Sequence, residues 1–165
     1  MTTRKRKVLS KESQLRIFQR DHWLCCWCLR PVIFYPAMKY LQFTLREAGV
    51  DGPLAYYHAH GTRRDAPLLD ELGACLDHVD AYSTGGACAE DNLCTACCKC
   101  NGRKSAASMD KWSQRERRKP ISGKYGEPEF WDGFSRLFVV LANRNKSALN
   151  SNDRAWLKAL KASKP

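Results

Sequence analysis

Leu76-Asp77-His78-Val79, followed by Gly85-Gly86, Asn92-Leu93 and Cys97-x-x-Cys100-Asn101-x-x-Lys104, is the stretch that decides the fold. It sets a carboxylate beside a histidine, then a Gly-Gly turn, two asparagines and a C-x-x-C pair. A second pair, Cys25-x-x-Cys28, lies far upstream. Two such turns can complete a tetrahedral Zn²⁺ shell, with Cys94/Cys97 competing at the same spacing. A hard-metal ligand next to a potential general base, in a strongly basic chain, points toward metal-assisted phosphodiester cleavage.

Such chemistry needs water deprotonated near neutral pH, and histidine has a suitable pKa for that. It also needs the transition-state charge and the departing oxygen stabilised, which a divalent ion can do. On an extended strand Asp77 and His78 would point to opposite faces.

The net charge of +11 is unevenly spread over the 165 residues. Residues 1–30 carry eight basic and two acidic side chains, and residues 99–125 carry nine and two. Residues 31–98 between them carry four basic and nine acidic, among them Asp77, Asp80, Glu90 and Asp91. Cationic arms around a carboxylate-bearing centre suit an enzyme that grips a polyanion while holding a divalent cation. A solvated basic surface with ordinary acidic loops would give the same balance.

A 44% hydrophobic and 27% charged composition is that of a soluble globular domain. No apolar run reaches membrane-spanning length, and no hydrophobic segment follows Met1-Thr-Thr-Arg4-Lys5-Arg6-Lys7, so neither a membrane partner nor a signal peptide is expected. Nine cysteines cannot all pair, and metal-binding thiolates call for a reducing compartment, hence a cytoplasmic protein.

Along the chain, residues 1–9 read as a disordered basic tail. Ser10 caps a helix to about Arg20 with Leu15 and Phe18 on its apolar side. Trp23 to Val32 reads as a short hairpin or zinc knuckle. Leu41, Leu45 and Ala48 outline a helix over Tyr35–Gly49, and residues 50–75 read mostly as loop. Leu76 to Asp80 is too short a run for periodicity to show a strand. A basic stretch, Lys111 to Lys124, leads to a boundary at Gly126-Glu127-Pro128. Beyond it Trp131, Phe134, Phe138 and Leu141 recur at helical spacing, as do Trp156 and Leu160 after a Ser151/Asn152 cap, and both stripes read as core.

The quoted motifs resemble the HNH endonuclease family, in its variant with a C-x-x-C pair on either side of the catalytic motif. The resemblance covers residues 10–32 and 76–105 and implies an α+β protein, in which the order from Leu76 onward is strand, loop, strand, helix. Its ββα-metal core would be stapled by a four-cysteine zinc site, with helices before and after. In that frame Cys25, Cys28, Cys97 and Cys100 hold structural Zn²⁺, leaving Cys26, Cys75, Cys88, Cys94 and Cys98 as packing residues. His78 is the general base, and Asn92 holds the loop between the strands. Asp77 and Asn101 ligate the catalytic cation, and their oxygen donors favour Mg²⁺ or Mn²⁺. The strand would bend so that Asp77 and His78 serve one site. Arg4, Lys5, Arg6, Lys7, Arg103 and Lys104 are the expected contacts to DNA, taken as double-stranded.

Two departures stand out. Asp80 occupies a position where these nucleases often have proline, and residues 35–74 look like an insertion. The expected organisation is thus a tail (1–9), a nuclease domain (10–125) and a helical extension (126–165) packed on the same domain. His22, His58 and His60 lack nearby ligand partners and read as surface histidines. Two non-catalytic alternatives are a zinc-stapled nucleic-acid-binding module and a zinc unit serving only as an assembly scaffold.

Overall fold

Ser10 accepts a hydrogen bond from the Ser13 amide and starts helix α1, Lys11–Arg20, which buries Leu15, Ile17 and Phe18. The computed structural model describes residues 8–50, 67–105, 107, 112 and 131–163. The basic tail at 1–7, His58, His60, the stretch 111–124 apart from Trp112, and the boundary at 126–128 lie outside the described residues.

After α1 the chain forms the expected knuckle, closed by an antiparallel bridge between Leu24 and Pro31 and by the Cys25 amide on the Arg30 carbonyl. Helix α2 spans Tyr35–Glu47. Gly49, at φ +74°, ends it with its amide on the Arg46 carbonyl, while the Val50 amide reaches the Leu45 carbonyl, the two bonds of a Schellman motif. Its buried face differs from the expected one: Ala37, Met38 and Tyr40 turn inward, whereas Ala48 is exposed. The loop reading of residues 50–75 also needs correction. Pro67–Leu72 form helix α3, and strand β1 begins at Ala74, two residues earlier than Leu76.

Strand β1 (Ala74–His78) pairs antiparallel with β2 (Leu93–Cys97), in a register running from Ala74 opposite Cys97 to His78 opposite Leu93. Helix α4, Cys98–Lys104, follows β2 directly, with Cys97 as its N-cap. Two strands and a helix in this order make the ββα unit of an α+β fold.

Phe138, Leu141 and Trp156 are core, as their spacing indicated, but Phe134 of the same stripe is exposed, and the helix starts later. Helix α5 covers Ser135–Arg144, with Phe134 at its N-cap in the left-handed region (φ +65°) and Trp131 ahead of it. Helix α6 covers Ser151–Ala162, and its cap is Asn150 rather than Ser151 or Asn152, through a bond from the Asp153 amide. Trp23, Phe34, Phe138 and Trp156 join Ala96, Cys97 and Cys100 in one hydrophobic cluster, so both helices rest on the core that carries the strands. Buried Asp153 adds a polar tie, accepting from Lys39 Nζ at 2.7 Å and Tyr40 Oη at 2.8 Å. Among the described residues no helix is long and apolar enough to cross a membrane.

Candidate active site and metal staple

The knuckle and the start of α4 bring Cys25, Cys28, Cys97 and Cys100 together, all buried, with their Sγ atoms within 4.8 Å of one another. Cys28 and Cys97 are 3.9 Å apart. A tetrahedral ion with Zn–S bonds of about 2.3 Å needs sulfurs about 3.8 Å apart, so the cluster fits zinc by size and by donor type. The Cys100 amide points at Cys97 Sγ at 3.4 Å. The Cys100 thiol, then that of Cys25, holds Cys97 down to about 7, and Cys28 lies lower still for the same reason. Arg30 supplies a countercharge beside Cys28 and Cys97 and is bound to Glu71 at 3.2 Å. This set selects Cys97/Cys100 over Cys94/Cys97.

Cys94 has another partner. The Cys26 amide donates to the Thr95 carbonyl, so knuckle and β2 run side by side, and the Cys26 and Cys94 sulfurs face each other in direct contact. Their reading as separate packing residues is therefore corrected. Cys75 and Cys98 are in contact, with Tyr35 Oη 2.7 Å from Cys98 Sγ. The Cys98 thiol, then burial, pushes the Cys75 thiol up.

Strand pairing is regular through His78, so Asp77 and His78 leave the ribbon on opposite faces. Asp77 is buried. Its Oδ2 accepts from Trp27 Nε1 at 2.9 Å and lies 3.3 Å from Lys104 Nζ. Both contacts fall on Oδ2, which leaves Oδ1 as the oxygen able to take a cation. Asn101 lies beside the Cys75 thiol. Cys75 and Asp77 share one face of β1, and Asn101 and Lys104 are neighbours on one face of α4. The carboxylate and the amide thus belong to the same strand–helix seam.

Lys104 is a correction to the expected phosphate contacts. Its side chain is 0% exposed, and its ammonium donates to the His78 carbonyl at 2.6 Å and packs 5.3 Å from the Trp27 ring centroid. A buried ammonium cannot reach a phosphate. Arg103, one residue earlier, is exposed. Sequence reasoning missed both Lys104 as an internal residue and Trp27. The only signal was a lysine spaced three residues from Asn101.

On the other face, His78 Nε2 lies 3.2 Å from Cys88 Sγ, and the Tyr82 ring centroid is 5.8 Å from that of the imidazole. The loop between the strands is braced by Asn92, whose Oδ1 accepts from the Asp80 amide at 2.9 Å. Its Nδ2 donates to the carbonyls of Asp80 at 3.1 Å and Ala87 at 2.9 Å. The Gly-Gly pair has a local reason. Gly85 has φ +102°, and a Cβ on Gly86 would lie against the Asp80 carbonyl oxygen, so the turn closes only without side chains. Arg20 fastens α1 to this unit through the carbonyls of Glu90 and Leu93, at 2.9 and 2.7 Å. His22 is exposed at the end of α1.

The model of the HNH endonuclease family matches residues 70–107, the span of β1, the braced loop, β2 and α4. No curated protein and no solved structure matches the chain. The segment with the Asp-His pair is thus similar to the HNH endonuclease family.

Proposed function

We propose that this protein is a metal-dependent DNA endonuclease in which His78 is the general base and Asp77 with Asn101 holds the catalytic cation. The observation that carries the reading is the HNH match over 70–107 to a ββα unit whose first strand ends in Asp77-His78. A hard divalent cation bound there would offset the charge developing on the phosphate and the departing oxygen. His78 would take a proton from water as the water attacks phosphorus. Asn92 would keep the loop around the imidazole closed. Attack in this sense leaves 5′-phosphate and 3′-hydroxyl ends. Because the two side chains leave opposite faces, the scissile phosphate would sit at the end of β1, within reach of both. Double-stranded DNA is the substrate that we favour, gripped by Arg103 and by the basic tail, Arg4, Lys5, Arg6 and Lys7.

We further read residues 10–125 as the nuclease domain and 126–165 as an extension on the same core, supported by the packing of α5 and α6. Four metal-binding thiolates favour a cytoplasmic location. The test is plasmid nicking with Mg²⁺, Mn²⁺ or EDTA, comparing the natural chain with Asp77→Ala and Asn101→Ala. Cleavage should require the cation, and both variants should need more of it. Cleavage that persists undiminished in EDTA would reject the reading.

One observation favours a second reading, a non-catalytic zinc-stapled binding module. The Asp77 carboxylate already has a cation beside it, the Lys104 ammonium. In that reading leaving out Mg²⁺ and Mn²⁺ would not change DNA binding, and no nicking would occur when they are added.

A further inference from the structure

We propose that Cys88 is a positioning residue for His78, fixing the imidazole through its Nε2; this rests on the reading of His78 as general base. The Sγ–Nε2 separation of 3.2 Å is a hydrogen-bond distance for sulfur, whether the thiol donates to the ring or the ring N–H donates to sulfur. The peptides on either side of that sulfur are tied down. The Ala87 carbonyl, one peptide before Cys88, is tied to Asn92 Nδ2 at 2.9 Å. The Gly86 amide is tied to the Ala81 carbonyl at 3.1 Å, and the Thr84 hydroxyl to the same carbonyl at 2.9 Å. At the far end the Asn92 amide bonds the Ala89 carbonyl at 3.0 Å. Cys88 therefore hangs between two anchored peptides, with its side chain on the imidazole.

A histidine that accepts a proton in the reaction must present one nitrogen to it in a fixed ring orientation, and the partner of the other nitrogen sets both tautomer and orientation. Cys88 supplies that partner from a side chain. The zinc staple does not use this cysteine, and neither does the Cys26–Cys94 pair. Its place next to the Asn92 brace gives the loop a purpose beyond connecting two strands: Asn92 holds Ala87, Ala87 carries Cys88, and Cys88 holds His78.

The experiment has two arms on the full zinc-loaded chain. In the first, ¹⁵N-resolved NMR of the His78 ring is recorded for the natural chain, Cys88→Ala and Cys88→Ser. The Nε2 signal should move in the alanine variant and return toward its original position in the serine variant, whose hydroxyl restores a partner. This arm needs no activity, so it separates the Cys88–His78 link from the nuclease reading. In the second arm, nicking kinetics should show kcat reduced about 10- to 100-fold by Cys88→Ala, as for loss of other orienting partners, with KM and melting temperature nearly unchanged. Cys88→Ser should recover most of that loss. Unmoved His78 signals in Cys88→Ala would overturn the proposal. So would serine and alanine variants equally impaired with equally lowered melting temperatures.

Discussion

Lys104 and Asp77 form a buried ion pair, Nζ to Oδ2 at 3.3 Å, with the lysine side chain fully enclosed and the carboxylate 7% exposed. The same ammonium donates to the His78 carbonyl, so one lysine on α4 holds both residues of the Asp-His pair. Removing one partner of such a pair strands a charge, which typically costs about 3–5 kcal/mol. Lys104→Met should therefore lower unfolding stability by about that much, while adding Asp77→Asn should recover part of the loss. Denaturant titrations of the two singles and the double check this; equal, additive losses would mean that the pair is not coupled.

The four-cysteine cluster should hold about one Zn²⁺ per chain, because its sulfurs are spaced for a tetrahedral ion. Cys28→Ala or Cys100→Ala should unfold or strongly destabilise the protein, since binding energy at such a site is folding energy. Elemental analysis of purified, folded protein is the check, and protein that is folded without zinc would contradict it.

Stability should fall in acid. Lys99, then Arg30, holds the Glu71 carboxyl below its usual 4.5, and Arg16, then Ser13, does the same for Glu90. At Asp21 burial pushes upward, but Arg20 and the Thr95 amide and hydroxyl outweigh it, leaving the carboxyl below 3.8. In each case the unfolded chain binds protons more readily than the folded one. The contribution is therefore complete above the unfolded pKa values and is lost as pH drops through the lower folded ones. Melting temperature at constant ionic strength should be flat through mildly acidic pH and decline below about 4. Replacing Asp21 with Asn should shrink that decline.

Removing residues 1–7 deletes Arg4, Lys5, Arg6 and Lys7. DNA affinity should drop, and the slope of log K against log salt should flatten by up to about 3.6, from roughly 0.9 per phosphate contact. Binding isotherms at several salt concentrations measure it, and an unchanged slope would deny the tail this role.

Local signals made much of this architecture legible. Ser10 announced α1, Gly49 closed α2, and the ββα order followed from the family resemblance that the motifs carry. Helix α3 was hidden because its six residues are too few for a period to show. The Cys26–Cys94 pairing depends on knuckle and β2 running side by side, a tertiary fact that no spacing encodes. Lys104 was misjudged because lysine is almost always exposed, and the neighbouring Asp77, Trp27 and His78 carbonyl make its burial tolerable. Phe134 falls on the same apolar stripe as Phe138 yet caps the helix instead, in a left-handed conformation that periodicity cannot signal.

The central claim is that His78 takes the proton from the attacking water, and single-turnover nicking of plasmid DNA by His78→Ala at saturating Mg²⁺ tests it most directly. The rate should be lower by about 10²–10⁴-fold, the usual worth of a general base, with zinc content, melting temperature and DNA affinity nearly unchanged. A His78→Ala protein that is free of contaminating nuclease and cuts at the natural rate would contradict it.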